Sequence, residues 1–201
     1  MYKRFVMCLM SVACFSMFGH AQSTQTICSG STIPTGWVVI HFSTDFSRCG
    51  GSTNDIQVIE QISTLGTGAT VNACSGFDIP GGWVVRDLST NFTDCGGSTH
   101  DISVLLNLNG EPSGTSVSVC SGFTIPSGWV VSDLSTNSTR CISGNNNVST
   151  LLNLKGLPIN TQESVCSGDS LPAGWIVVST STNSTRCGGG INNIETIRRT
   201  S

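Results

Sequence analysis

Eight cysteines recur at a fixed spacing, and this period constrains the fold more than any other feature of the chain. One cysteine appears every 46 residues, and a second follows each of them by 21 residues. Between the two, all four copies share C-S-G-x-x-[IL]-P-x-G-W-[VI]-V-x-x-x-S-T-[DN]-x-[ST]-x-C without insertion or deletion. A constant period of this length is typical of repeat proteins. It predicts four modules, at residues 22–73, 74–119, 120–165 and 166–201.

The repetition also limits the disulfide pairings that are sensible. In one scheme each module closes itself, and in the other each second cysteine pairs with the first cysteine of the next module. The second scheme leaves Cys28 and Cys187 without an adjacent partner, so these two would have to meet across the whole array. The first scheme is therefore favoured, with the pairs Cys28–Cys49, Cys74–Cys95, Cys120–Cys141 and Cys166–Cys187.

Residues 1–21 have the three parts of a secretory signal peptide in order. Lys3 and Arg4 precede an apolar stretch over residues 5–18, which is shorter than the roughly 20 residues of a spanning helix. Small residues then precede a cleavage site near Ala21. A membrane anchor and a lipid on Cys14 are the alternatives, although the leucine usual before a lipidated cysteine is missing. The sequence thus predicts a secreted, periplasmic or cell-surface protein with disulfides, because Cys8 and Cys14 fall within this segment and an even number remains.

Charge excludes two classes of partner. Only 10% of the residues are charged, and the formal net charge is -3. Removing Lys3 and Arg4 leaves seven basic residues against twelve acidic ones. Neither nucleic acid nor an anionic membrane surface is an expected partner of such a chain.

The pattern within one module predicts three short strands and no long helix. In the third copy, residues 115–120 alternate between polar and apolar, residues 129–134 are aromatic and β-branched, and residues 148–154 are apolar. Proline, glycine and asparagine punctuate the intervening loops. The apolar residues of the third strand recur every three positions, as in Val148, Leu151 and Leu154. This spacing predicts a strand with a β-bulge, and a short helical turn is the alternative. The fold class is therefore all-β, a tandem array of disulfide-stapled modules.

Differences between the copies predict that the modules stack on one another and are not independent domains joined by flexible linkers. Three residues after the first cysteine, the inner modules have Phe77 and Phe123, where the outer ones have Ser31 and Asp169. Thirty-two residues after it, the inner modules have Leu106 and Leu152, where the outer ones have Glu60 and Arg198. Apolar residues confined to inner copies are expected where neighbours cover them. A linear stack and a closed ring both satisfy this pattern.

Several repeated residues are candidates for a binding surface. The four tryptophans could stack on sugar rings, or each could be the core residue of its module; these are Trp37, Trp83, Trp129 and Trp175. The Ser-Thr-Asn motif is interpreted as a hydrogen-bonded turn. Asp55 and Asp101, with asparagine at the same position in modules 3 and 4, are interpreted as turn caps rather than calcium ligands. An arginine before the second cysteine in three modules is interpreted as a solvated charge.

Catalysis has little support in the sequence. His41 and His100 stand at different repeat positions, Lys155 is the only lysine after the signal segment, and all eight remaining cysteines are assigned to disulfides. We therefore expect no catalytic residues, no metal site and no cofactor. Two functions remain: a structural or multivalent binding role toward a glycan or cell-surface protein, and an effector or inhibitor that presents braced loops to one protein target.

Overall fold

The computed structural model describes residues 23–97, 99–142 and 144–201 of the chain. The signal segment predicted at residues 1–21, including Cys8 and Cys14, lies outside the described residues. Within these described residues, twelve strands and one short helix follow one another. They are β1 Thr24–Cys28, β2 Trp37–Ser43, β3 Ile56–Gln61, β4 Thr70–Cys74, β5 Trp83–Ser89, β6 Ile102–Asn107, β7 Ser116–Cys120, β8 Trp129–Ser135, β9 Val148–Asn153, β10 Gln162–Cys166, β11 Trp175–Ser181, α1 Ser184–Cys187 and β12 Ile194–Arg199.

Each module forms one three-stranded antiparallel sheet in which the third strand of the module lies in the middle. The strand orders are β1-β3-β2, β4-β6-β5, β7-β9-β8 and β10-β12-β11. Because the first strand of each sheet ends at its cysteine, the sheets of modules 2 to 4 begin a few residues before the boundaries predicted above. The prediction of an all-β array of repeated modules is confirmed.

A disulfide closes every module on itself. The pairs are Cys28–Cys49, Cys74–Cys95, Cys120–Cys141 and Cys166–Cys187, each separated by 21 residues. In each pair the first cysteine is the last residue of the first strand, and the second follows the turn after the second strand. The bond therefore links the two outer strands of the sheet, which do not hydrogen-bond to each other.

The third strand is a regular strand, and the prediction of a bulge within it is wrong. The register shift lies in the second strand instead, between Val39 and His41 in module 1 and at the equivalent place in the other modules. The three-residue spacing arises because the central strand is covered on both faces. Leu105 packs in one core cluster and Leu108 in the next, so apolar side chains are needed on both sides of the sheet.

The modules stack, and their cores are shared. One core cluster combines Val84 and Leu108 of module 2, Val131 and Leu151 of module 3, and Cys166 of module 4. The preceding cluster repeats this arrangement one module earlier, from Val38 of module 1 to Cys141 of module 3. Each interior core thus draws apolar surface from three successive modules, which freely moving beads could not do.

The bulge in the second strand allows that strand to hydrogen-bond to the next module. After the bulge, the backbone N–H of Phe42 donates to the carbonyl oxygen of Asp94 in module 2, at 2.7 Å. One module later, Leu88 N–H donates to Arg140 O at 2.8 Å. A bulge re-aims the backbone of an edge strand, and here the edge of one sheet is partnered by the cysteine turn of the next module.

The four predicted inter-module residues lie at or beside the junctions. Phe77 packs against the cluster of Val39 and Ile59, with its ring centroid 6.0 Å from that of Phe42. Leu106 packs against the module 2–3 core, and Leu152 belongs to the module 3–4 core. Phe123 is 37% exposed and borders a small cavity lined by Val84 and Leu151.

The repeat positions of Phe77 and of Glu60 face opposite directions along the stack. The position of Phe77 faces the preceding module, so it is free only in module 1, where Ser31 is exposed. In module 4, Asp169 Oδ2 accepts from Val131 N–H at 3.2 Å. The position of Glu60 lies on the side that the following module covers. Glu60 is therefore buried, and the expectation that it meets water is wrong.

Candidate binding groove

A groove of about 1360 Å³ runs along modules 2, 3 and 4. Its walls are equivalent segments of successive modules: the loops between the first and second strands, and the connectors after the third. These are residues 76–83 and 122–129 from the loops and residues 108–113 and 153–156 from the connectors. Pro172, Ala173, Trp175 and Arg199 extend the same lining into module 4. The groove therefore presents one set of chemical groups repeatedly.

A tight turn shapes the loop wall in every module. The Trp83 N–H donates to the Pro80 carbonyl at 3.1 Å, and the other three modules make the same bond. Gly82, at the third position of this turn, has a φ of +85°, a conformation that L side chains rarely adopt. A Cβ there would lie 2.1 Å from the Asn109 side chain. The invariant Pro-x-Gly-Trp sequence thus makes the turn and leaves room for the connector.

Buried asparagines hold the connector wall, and sequence reasoning missed them. Asn153 donates through Nδ2 to the carbonyl oxygens of Glu111 at 2.9 Å and Pro112 at 3.0 Å, and it accepts from the backbone N–H of Lys155. Asn107 makes the equivalent bonds one module earlier. Both side chains are buried. The signal was the recurrence of Asn-Leu-x-Gly at the end of the third strand in modules 2 and 3.

The groove has little net charge. Its lining includes the acidic Asp78 and Glu111 and the basic Lys155 and Arg199. Hydroxyl groups of Ser113, Thr124 and Ser127 and the amide of Asn109 supply most of the remaining polar side chains. A surface of this composition can exchange hydrogen bonds with a neutral, hydroxylated ligand without desolvating isolated charges.

The structure places the tryptophans in the cores. Trp83, Trp129 and Trp175 are 3–8% exposed, and each packs with valine and leucine at a junction. Trp37 is half-buried, because among the described residues no sheet lies before module 1 to cover it. The rings in modules 2 to 4 belong to the lining of the groove, but their low exposure leaves too little surface for a sugar ring to stack on.

The Ser-Thr-Asn motif forms a turn in which the side chains bond to nearby groups. Asn137 Oδ1 accepts from Thr139 N and Oγ1, at 3.2 and 2.8 Å. Thr136 Oγ1 accepts from Asn146 N–H at 3.0 Å, and Asn146 has a φ of +56°. In module 1 Asp45 takes the place of asparagine, and the Ser47 hydroxyl and backbone N–H lower the pKa of its carboxyl.

The residue before the third strand caps the same turn, as its interpretation from sequence requires. Asp55 Oδ1 accepts from Asp45 N–H, and Asp101 Oδ1 accepts from Asn91 N–H, both at 2.7 Å. In modules 3 and 4 asparagine makes the same bond and also donates through Nδ2 to loop carbonyls. Within the described ranges, no group of three or more His, Cys, Asp or Glu side chains is placed to hold a metal ion.

Exchanging aspartate and asparagine at this position should change the stability in opposite directions. Asp101 is buried, and its Oδ2 has no hydrogen-bond partner among the described residues. Asp101→Asn supplies a donor for the loop carbonyls that Asn147 already binds in module 3. We expect the free energy of unfolding to rise by about 1 kcal/mol. Asn147→Asp should lower it by a similar amount, and urea unfolding of both variants measures the pair. A stabilised Asn147→Asp variant would contradict this account.

Arginines before the second cysteine join the modules, so their interpretation as solvated charges is wrong in modules 3 and 4. Arg140 donates through Nε to Asp87 of module 2 and through a terminal nitrogen to Ser118 O of its own module, at 2.7 Å. Arg186 donates to Ser132 O of module 3 at 2.8 Å and to Ser164 O at 2.7 Å. A planar guanidinium with several donors suits this two-sided contact.

The acidic residue changes sides at the first junction. Asp94 stands where the other modules have arginine, and its carboxylate lies 3.1 Å from Nδ1 of His41. His41 in turn stands at the repeat position of Asp87. The structure thus assigns His41 to a module junction. His100 lies in a turn with a φ of +60°, where its backbone N–H donates to Thr90 Oγ1.

Acid should weaken the junction between modules 2 and 3. Partial burial acts to raise the pKa of Asp87, but the hydrogen bonds and charges of Arg86 and Arg140 outweigh it and hold this pKa below 3.8. A lowered pKa contributes stability that is complete above the ordinary value and is lost as the pH falls through the folded-state value. Wild type should therefore exceed Asp87→Asn in stability by about 1 kcal/mol at neutral pH, and the difference should shrink below about pH 4. Urea midpoints for both proteins across this range test it; a difference that stays constant would rule out Asp87 as the titrating group.

Two observations bear on where such a protein works. Four disulfides are consistent with an oxidising, extracellular environment. Among the described residues, no helix is long and apolar enough to cross a membrane.

Comparisons with protein-family models, with curated proteins and with solved structures find no match to this chain. The candidate site therefore rests on the repeated geometry of the groove.

Proposed function

We propose that this protein is a secreted, non-catalytic binding protein that holds a glycan chain along its groove. The observation that carries the proposal is that equivalent segments of three successive modules line one continuous groove. A polymer with repeated units can occupy such sites together, and simultaneous occupation multiplies the affinity of weak single sites.

The chemistry of the lining supports a glycan. Hydroxyl, amide and backbone groups outnumber charged side chains in the groove, which suits an uncharged, hydroxyl-rich chain. The walls are held by turns, disulfides and buried asparagines, so little ordering has to accompany binding.

Two substitutions of exposed serines test this proposal. Ser127 lies in the groove wall of module 3, and Ser127→Tyr should obstruct the middle of the groove and weaken glycan binding at least about tenfold. Ser138→Phe is the matched control, because it also adds an aromatic ring to module 3, outside the groove. Modules 1 and 2 already have Phe46 and Phe92 at that position, exposed by 66% and 64%.

A glycan array probed with the purified, oxidised protein would first identify ligands. Equal binding by wild type, Ser127→Tyr and Ser138→Phe would count against the groove. Single modules are unsuitable for this test, because their cores are shared with neighbours.

An effector or inhibitor is the second candidate, and exposed isoleucines in two divergent loops favour it. Ile142 and Ile191 follow the second cysteines of modules 3 and 4 and are 56% and 86% exposed. Modules 1 and 2 have glycine and threonine at these two positions. Binding to one protein that is lost in Ile142→Asp and Ile191→Asp but retained in Ser127→Tyr would select this function instead.

A further inference from the structure

Strand β11 of module 4, the last sheet that the structure describes, leaves exposed an apolar face that is covered in every other module. Ile176, Val177 and Val178 are 41–44% exposed. The residues equivalent to Ile176 are Val38, Val84 and Val130, and their exposure is only 0–2%. Those equivalent to Val177 are Val39, Val85 and Val131, at 0–8%. In each earlier case the following module supplies the cover.

The opposite end of the stack presents the complementary surface. Ile27, Ile33 and Trp37 of module 1 are only partly buried. Ala73 and Trp83, the equivalents of Ile27 and Trp37, are buried in module 2 in one core cluster with Val38 and Ile62 of module 1. Ile79, the equivalent of Ile33, packs against that cluster. Module 1 therefore carries the apolar half of a junction whose other half is exposed on module 4.

Arg48 of module 1 is in the same pose as the arginines that bridge the internal junctions. Its terminal nitrogen donates to Thr26 O at 3.3 Å, as Arg186 does to the equivalent Ser164 O. Arg186 also donates through Nε to Ser132 O of the preceding module. The residue equivalent to Ser132 in module 4 is Val178, so its carbonyl would be the acceptor for Arg48 of another chain.

The charges at the two ends are compatible. Arg48 would face Ser179, which stands at the repeat position of Asp87, so no like charges oppose each other at this point. Arg198 of module 4 stands at the position of Leu106, which packs in one cluster with Val117. The residue of module 1 at the position of Val117 is Gln25, whose amide can accept a hydrogen bond from arginine.

We infer that this protein assembles head to tail, with module 1 of one copy docked on module 4 of another copy. The contact repeats the geometry of the internal junctions, so the sheet stack continues from chain to chain. Such an interface joins two different surfaces, and it produces a filament or a ring according to whether the rotation closes. This assembly is independent of what the groove binds.

Sedimentation velocity of the purified, oxidised protein over a wide concentration range tests the inference. Wild type should show a mass that grows beyond one chain as the concentration rises. Ile176→Asp should weaken association at least about tenfold, because the junction would bury an unpaired carboxylate. Ile159→Asp is the matched control: it also replaces an exposed isoleucine, 60% exposed in the connector before β10 and outside β11, and it should associate as wild type does.

A second variant strengthens the contact. Ser179→Asp recreates the acid of the Asp87–Arg140 pair opposite Arg48 and should tighten association by up to about fivefold. Combining it with Arg48→Glu opposes two acids and should abolish the gain. Circular dichroism and Tm identify any variant that has lost its fold.

A single-chain mass at all concentrations for both wild type and Ser179→Asp would overturn the inference, and a different protein would then cover the face. Equal weakening by folded Ile176→Asp and Ile159→Asp variants would also overturn it, since association would then use another surface.

Discussion

Replacing Cys120 and Cys141 together by alanine should destabilise the protein more than replacing Cys28 and Cys49. Each bridge closes a loop of equal length, and removing one should cost roughly 3 kcal/mol through the entropy of the unfolded chain. Cys120 and Cys141 are also buried in the core shared by modules 1, 2 and 3. Their loss removes sulfur contacts there, which adds about 1–2 kcal/mol. Cys28 and Cys49 are partly exposed at the end of the stack, so that pair should lose only the first contribution.

Urea unfolding followed by circular dichroism measures both double variants against wild type. Equal losses of stability would contradict the shared core. Full reduction of wild type should remove all four bridges and unfold the array, because four losses of roughly 3 kcal/mol each are comparable with the whole stability of a typical folded domain. Unchanged circular dichroism and melting in excess reductant would show that the bridges are dispensable.

Asn153→Ala should cause the second largest loss of stability among the substitutions considered. The substitution removes the donor for the Glu111 and Pro112 carbonyls and the acceptor for Lys155 N–H, inside a site where Asn153 is 3% exposed. Buried polar groups left without partners cost about 1–3 kcal/mol, so we expect the free energy of unfolding to fall by about 2–3 kcal/mol. The altered connector should also weaken any ligand bound in the groove.

Asn109→Ala is the control for this prediction. Asn109 is an exposed amide in the equivalent connector one module earlier, and its loss should change the stability by less than about 0.5 kcal/mol. Comparable losses in Asn109→Ala and Asn153→Ala would show that the buried hydrogen bonds do not hold the connector.

The module pattern could be predicted from sequence because its signals are local and repeated four times. The cysteine period, the Pro-x-Gly-Trp turn and the Ser-Thr-Asn turn each specify structure within a few residues. The third strand was harder, since Leu105 and Leu108 serve different cores, and an alternation rule assumes that only one face is covered. Its bulge was therefore assigned to the wrong strand.

The contacts between modules could not be predicted from sequence, because they depend on which face of each sheet is turned toward its neighbour. Arg140 and Asp87 are 53 residues apart, and only the stack brings them together. Glu60 and Arg198 share a repeat position, yet the following module covers only Glu60. The groove was also beyond sequence reasoning, because loops and connectors of three modules have to be placed before a common wall exists.

The position of the central strand has a consequence for the order in which the parts of a module come together. Both cysteines of a module precede its third strand, and the two strands that they link have no hydrogen bonds to each other. Oxidation can therefore run ahead of sheet formation and leave a covalent ring with an open slot between its strands. On that route, β9 would insert between β7 and β8 after Cys120 and Cys141 have paired. If the chain folds from its amino end, the modules would form in order. Each completed sheet would then provide the surface on which the next module packs.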